Sequence, residues 1–155
     1  MFVEYILIFV LLLAVTTGLY ALIDRFFDKK VKSDSIVYVE ALRDLLDGRE
    51  ESAFSKLRLA VAEDSENLDA YLRLGQLLRD YGKPERALQV HKDLTLRGGL
   101  KPFQKAAVLQ QLAVDYLAME NFDMAEAAIK ELLQHDSNSR WANSRLLEIQ
   151  QKAEK

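Results

Sequence analysis

Three pairs of small residues set the frame. Gly75 stands 34 residues after Ala41, Ala87 stands 34 after Ala53, and Gly82 stands 34 after Gly48. A self-match at this period marks a helical-pair repeat, in which one unit cannot bury its own apolar face and must stack on the next. From residue 34 onward apolar residues recur at helical spacing with no alternating strand pattern, so the fold class is all-α. Gly48 and Gly82 suit the position just past a first helix, where the backbone turns to positive φ. Pro84 then opens a second helix, where a missing N–H costs nothing. Asp123 followed by Glu126 reads as an acidic helix start or capping box.

In front of the repeats lies an apolar run, Phe2 to Ile23, whose only charge is Glu4. As a helix it would be about 33 Å long, enough for the hydrocarbon core of a bilayer. Glu4 lies at the end, where a carboxylate reaches headgroups at little cost. A cleaved signal peptide would open with basic residues and close on small ones. This run opens on Glu4 and closes on Leu22-Ile23-Asp24-Arg25, so residues 1–24 are assigned as a transmembrane anchor. Arg25, Lys29, Lys30 and Lys32 follow the span, and no Lys or Arg precedes it. The positive-inside rule therefore predicts cytoplasmic repeats. Residues 25–33 form a basic juxtamembrane linker or helix extension, and residues 34–155 the repeat domain.

Composition excludes several classes. A net charge of −3 offers no basic face for nonspecific nucleic-acid binding. The absence of cysteine removes disulfides and thiolate zinc sites. Gly98-Gly99 lacks the strand and the Gly-Lys-Ser/Thr ending of a phosphate loop. Glu50-Glu51, Glu63-Asp64 and Glu66 fall on helix ends, where acids favour helix starts. His91 and His135 are the only histidines, and His91 occupies a packing position, so it reads as a core or inter-repeat residue rather than a ligand. No catalytic, cofactor or metal residue is expected, and the chain is read as a non-enzyme.

The pattern resembles the tetratricopeptide repeat. A first helix of that family carries a large, an aliphatic, a small and a bulky residue, and a second helix carries small, bulky and small ones. The second repeat begins at Leu68 and matches with Tyr71, Leu74, Gly75, Leu78, Ala87, His91 and Leu94. The third begins near Ala106, with Leu109, Leu112, Ala113, Tyr116, Ala125, Ile129 and Leu132. The first begins near Asp34, with Val37, Ala41, Ala53, Leu57 and Ala60, and departs at Glu40 and Asp44. Gly75 against Ala87 and Ala113 against Ala125 are the expected close crossings. The step from the second repeat to the third is 38 residues, and the extra four are placed in a lengthened loop from Arg97 to Pro102. Residues 138–152, with Trp141, Leu146, Leu147 and Ile149, make a capping helix or half of a fourth repeat. The expected architecture is an N-terminal transmembrane helix, about three helix pairs and a C-terminal capping helix.

One stretch is more specific. Leu74-Gly75, Leu78-Arg79, Glu85-Arg86-Ala87, Val90-His91-Lys92-Asp93-Leu94, Gln111-Leu112-Ala113, Asp115-Tyr116-Leu117 and Asn121-Phe122-Asp123 resemble the early repeats of the lipopolysaccharide assembly protein B family of Gram-negative bacteria. That family also starts with one transmembrane helix followed by cytoplasmic repeats. It carries further repeats and a four-cysteine, rubredoxin-like module, whereas this sequence has no cysteine. The resemblance implies an inner-membrane adaptor. In the family the adaptor controls turnover of the lipid A deacetylase by a membrane AAA+ protease and contacts lipopolysaccharide-assembly proteins. The alternative is a general assembly or quality-control factor at the inner membrane, unrelated to lipopolysaccharide.

The repeat pattern also implies a binding face, lined by first helices. Its candidate residues are Tyr38, Leu42, Leu45 and Leu46 in the first repeat. Asp69, Leu72, Gln76, Arg79 and Asp80 follow in the second, and Gln110, Val114, Leu117 and Ala118 in the third. Apolar at its ends and polar in the middle, such a groove suits a helix or an extended apolar segment of another protein. Plain packing is the competing explanation for Leu42, Leu45 and Leu46. Arg79 is read as a surface residue whose reversal leaves folding intact. Other expected contacts are the membrane, a partner of the transmembrane helix, and a second copy through the open end of the stack.

Overall fold

The computed structural model describes residues 2–153, with side chains except those at 3, 7, 24–35 and 153. Within these residues the chain forms seven helices: α1 (Phe2–Leu46), α2 (Glu50–Glu63), α3 (Leu68–Asp80), α4 (Pro84–Thr95), α5 (Pro102–Ala118), α6 (Phe122–His135) and α7 (Arg140–Ala153). Consecutive helices pack on one another, α1 on α2, α3 on α4 and α5 on α6, and α7 closes on α6. The stretch Glu4–Ile23 within α1 is long and apolar enough to cross a membrane, by length and composition. The basic cluster from Arg25 to Lys32 lies outside the described side chains.

The same turn closes each helix pair. Arg49 N–H donates to the Asp44 carbonyl, Lys83 N–H to that of Leu78 and Asn121 N–H to that of Tyr116, at 2.8, 2.9 and 2.9 Å. Each is the six-to-one bond that ends a helix on a left-handed residue. Gly48 and Gly82 hold φ of 71° and 69° as the sequence requires, but the third turn uses Glu120, at φ 57°. Helix starts follow local chemistry. Asn67 Oδ1 accepts from the Ala70 N–H, and Asn121 Oδ1 from that of Met124. Asn121 is therefore the cap of α6, and Asp123 is an acid in its first turn, not the cap. Pro84 and Pro102 open α4 and α5, and Gln104 accepts from the Lys101 N–H at 2.9 Å.

The longer step between the second and third repeats is built differently from the expected loop. The connection between α4 and α5 has six residues, against four between α2 and α3 and four between α6 and α7. Most of the extra length is helix: α5 has 17 residues where α3 has 13. Its additional first turn, residues 102–105, lies before the third-repeat register that starts at Ala106. Pro102 can open a helix early because its fixed φ already fits.

Two apolar clusters make the core. One joins Ala41, Ala53, Leu57, Ala60, Ala70, Leu74, Leu77, Leu78 and Ala87. The other runs from Leu94 through α5 and α6 to Ala142 and Ile149 of α7. The departure at Asp44 is resolved by pairing. Its carboxylate is almost fully buried, accepts from Ser52 Oγ at 2.5 Å, and meets Lys56 Nζ at 2.8 Å and Arg49 Nη2 at 2.6 Å. Glu40, the other departure, pairs with Lys56 at 3.3 Å.

Candidate protein-binding face

The first helices α1, α3 and α5 bring the predicted face together, and polar ties join them. Tyr38 Oη donates to Asp69 Oδ2 across α1 and α3. Partial burial, then the bond to the Asp69 carboxylate, pushes the Tyr38 phenol up to about 12, so it stays a neutral donor. The tie between α3 and α5 is Arg79. Its Nη1 donates to Asp115 Oδ1 at 2.5 Å and its Nη2 to Gln111 Oε1 at 3.0 Å.

Arg79 is thereby corrected as a surface residue. Its side chain is only 13% exposed, and its partner Asp115 is fully buried. The second oxygen of Asp115 accepts from His91 Nδ1 at 2.5 Å. His91 Nε2 lies 3.3 Å from the Leu72 carbonyl oxygen, so both ring nitrogens face acceptors. The ring closes on Gly75, where a Cβ would stand 2.3 Å from Nε2 and 2.4 Å from Cε1. The atoms nearest to that position therefore belong to His91, a contact the Gly75–Ala87 pairing did not include. A buried salt bridge with filled hydrogen bonds thus spans α3, α4 and α5 between the two apolar clusters.

The other face residues divide by packing. Leu45 leans on the first apolar cluster, and Leu72 and Leu117 on the second. Leu42 and Val114 are half-buried, while Leu46, Asp80 and Ala118 are exposed. Gln76 is exposed and Gln110 half-buried, and no described hydrogen bond uses either side-chain amide. The face can therefore offer amide donors and acceptors beside apolar patches. Sequence reasoning missed two neighbours. Phe103, on the added turn, stands exposed beside a hollow lined by Ala107, Gln110, Leu132 and Asp136. Asp115 was readable as an acid flanked by the core residues Leu112, Ala113 and Tyr116. Among the described residues no His, Cys, Asp and Glu group could hold a metal.

No protein-family model matches the chain. The chain is 31% identical over 114 residues to lipopolysaccharide assembly protein B of Escherichia coli K12, covering 74% of this chain and 29% of that protein. It is 36% identical over 90 residues to the protein of the same name from Haemophilus influenzae, covering 58% and 23%. The chain thus spans less than a third of the length of these relatives. The fold matches the first tetratricopeptide domain of Spaghetti, bound to an HSP90 peptide, with a TM-score of 0.68 at 12% identity over 79% of this chain and 94% of that one. It also matches the Yersinia enterocolitica type III secretion chaperone SycD, in complex with a peptide of the translocator YopD. There the TM-score is 0.65 at 17% identity, over 77% and 93%.

Proposed function

We propose that this chain, a tetratricopeptide-repeat protein resembling lipopolysaccharide assembly protein B, is a membrane-anchored adaptor that binds segments of other proteins. The anchor is the apolar stretch of α1, and its basic flank supports a cytoplasmic location for the repeats, against the inner membrane of a Gram-negative bacterium. The process served is lipopolysaccharide synthesis and envelope assembly. This follows the name and identity of the relatives, of which the chain spans a minor part. A scaffold of this kind performs no catalysis. A general assembly or quality-control role at the same membrane is the second reading, favoured by solved neighbours that hold peptides of unrelated proteins.

The observation that carries the proposal is the unengaged amide pair. Gln76 and Gln110 lie on successive first helices and carry no side-chain hydrogen bond among the described residues, on the same predicted face as half-buried Leu42 and Val114. An extended segment can pair its backbone with such amides and lay apolar side chains on the patches next to them. Arg79, engaged with Asp115, holds the face together. The test is a pull-down from membranes with Gln76→Lys plus Gln110→Lys, beside an outer-helix control, Arg86→Glu. Partner recovery should fall about tenfold or more in the first, as buried contacts are replaced by misplaced charge. Equal recovery in both, with helicity unchanged, contradicts the face as the binding surface. Recovery of a membrane protease or a lipid A enzyme favours the first process, and other clients favour the second.

A further inference from the structure

The up-down order of the helices sorts the connections by edge. The anchor end of α1 leads into the stack, so the connections α2–α3, α4–α5 and α6–α7 lie on the edge nearest the anchor, and the tight turns after α1, α3 and α5 on the far edge. Tyr71 ties the near edge together, with its hydroxyl donating to the Val61 carbonyl at 3.3 Å and its ring under Arg97 at 4.2 Å. Two of the three near-edge connections are acidic or neutral, Asp64-Ser65-Glu66-Asn67 and Asp136-Ser137-Asn138-Ser139. The third reads Leu96-Arg97-Gly98-Gly99-Leu100-Lys101 and runs into Pro102-Phe103-Gln104-Lys105. There Leu96 is 84% exposed and Phe103 67% exposed. Lys101 and Lys105 are exposed and belong to no ion pair among the described residues. The extra turn of α5 carries Phe103 and Lys105 about 6 Å further along the helix toward that edge than the repeat register requires.

We infer that this connection is a membrane-surface contact, with Leu96 and Phe103 entering the headgroup boundary and Lys101 and Lys105 meeting anionic lipid. Exposed apolar side chains flanked by unpaired lysines are the chemistry of interfacial binding, and each basic residue adds attraction only close to the surface. The placement on the anchor edge brings the connection to that surface. Leu46 is equally exposed, 88%, but it sits on the far edge beside Asp47, Glu50 and Glu51. The inference rests on the membrane-anchor reading above. Its consequence is orientation: a stack pinned by both its anchor and this connection holds its first-helix face at a fixed tilt to the bilayer.

The chain has no cysteine, so a single introduced one is a unique label. The whole chain is placed in vesicles of phosphatidylcholine, alone or mixed with phosphatidylglycerol, that also carry a lipid-borne quencher. Fluorophores are attached at Leu96→Cys, Phe103→Cys, Leu46→Cys or Leu12→Cys, and helicity is checked for each. In the mixed vesicles the labels at 96 and 103 should lose most of their emission and the label at 46 should keep it. Lys101→Glu with Lys105→Glu should reduce the quenched population on the order of tenfold. Labels at 96 and 103 as bright as that at 46 overturn the inference. Quenching indifferent to both phosphatidylglycerol and the lysine reversals overturns its electrostatic half. The label at 12 reports the anchor separately: if it is quenched while 96 and 103 stay bright, the surface contact alone fails. If it is bright, the anchor reading fails, and 96 and 103 still decide the contact.

Discussion

Asp44 and Asp115 are both acids on first helices of the stack, and both are nearly or fully buried. Their surroundings differ. Asp44 lies at the rim of the first repeat, and its cations reach it from solvent: the Arg49 side chain is half exposed and that of Lys56 about a third. Asp115 lies between repeats, and its partners His91 and Arg79 are themselves buried or nearly so. A rim carboxylate whose partner is lost can recruit water. A carboxylate in the seam cannot, and it leaves two buried cationic or polar groups unpaired with it. The contrast teaches that one residue type can be a tolerated departure at an edge and a structural joint at a centre.

The largest expected effect is at the seam. Arg79→Glu sets a carboxylate against Asp115 and should cost on the order of 3–5 kcal/mol, enough to unfold much of the stack. Chemical denaturation followed by circular dichroism reads it. A loss below about 0.5 kcal/mol would return Arg79 to the surface class and dissolve the contrast. Next is Gly75→Ala, which drives a methyl into the His91 ring and should cost about 1–3 kcal/mol. If the ring is the cause, the same change in a His91→Ala background costs much less. Full additivity of the two would point to another neighbour.

A third prediction sharpens the rim side. Lys56, then Ser52 and Arg49, hold the Asp44 carboxyl well below the usual carboxylate range. A depressed carboxylate adds stability that is present above its unfolded value, near 4, and is lost as pH falls through the folded one. Asp44→Asn should therefore weaken the chain at neutral pH and flatten its loss of stability in acid. An acid limb unchanged from that of the parent chain would show that the Asp44 cluster is not formed in solution. The smallest effect belongs to Glu120, the one left-handed turn residue that is not glycine among the described residues. Glu120→Gly should stabilise by about 0.5–1 kcal/mol, since a Cβ is penalised in that conformation. A destabilised variant would mean that the Glu120 side chain contributes more than its strain costs.

The sequence was most legible where a local rule forces one residue type. Gly48, Gly82, Pro84 and Pro102 each mark a backbone requirement, and they placed the helix pairs. The 34-residue spacing put Ala41 and Gly75 at equivalent positions of successive repeats and so located the core. The seam was not legible, because Arg79, His91 and Asp115 come from three helices and look separately like a surface cation, a packing residue and a stray acid. The added turn of α5 was hidden for another reason. A period reports how many residues intervene, not whether they are loop or helix, and Phe103 fell between the loop assigned to Arg97–Pro102 and the repeat start at Ala106. The face from Tyr38 to Leu117 was named from repeat register, and the register cannot say which of its side chains are already engaged. Tyr38 and Arg79 are engaged with Asp69 and Asp115, which leaves Gln76 and Gln110 as the unengaged amides beside the exposed acid Asp80.

That remainder is the central claim, and site-specific photo-crosslinking in native membranes tests it directly. A crosslinker is placed at Gln76, at Gln110 or at the outer-helix Arg86, with the fold of each variant verified by circular dichroism. The account predicts that 76 and 110 capture the same protein partner and that 86 does not. Capture of that partner at 86, with none at 76 and 110, would contradict it and move binding to the outer face of the stack.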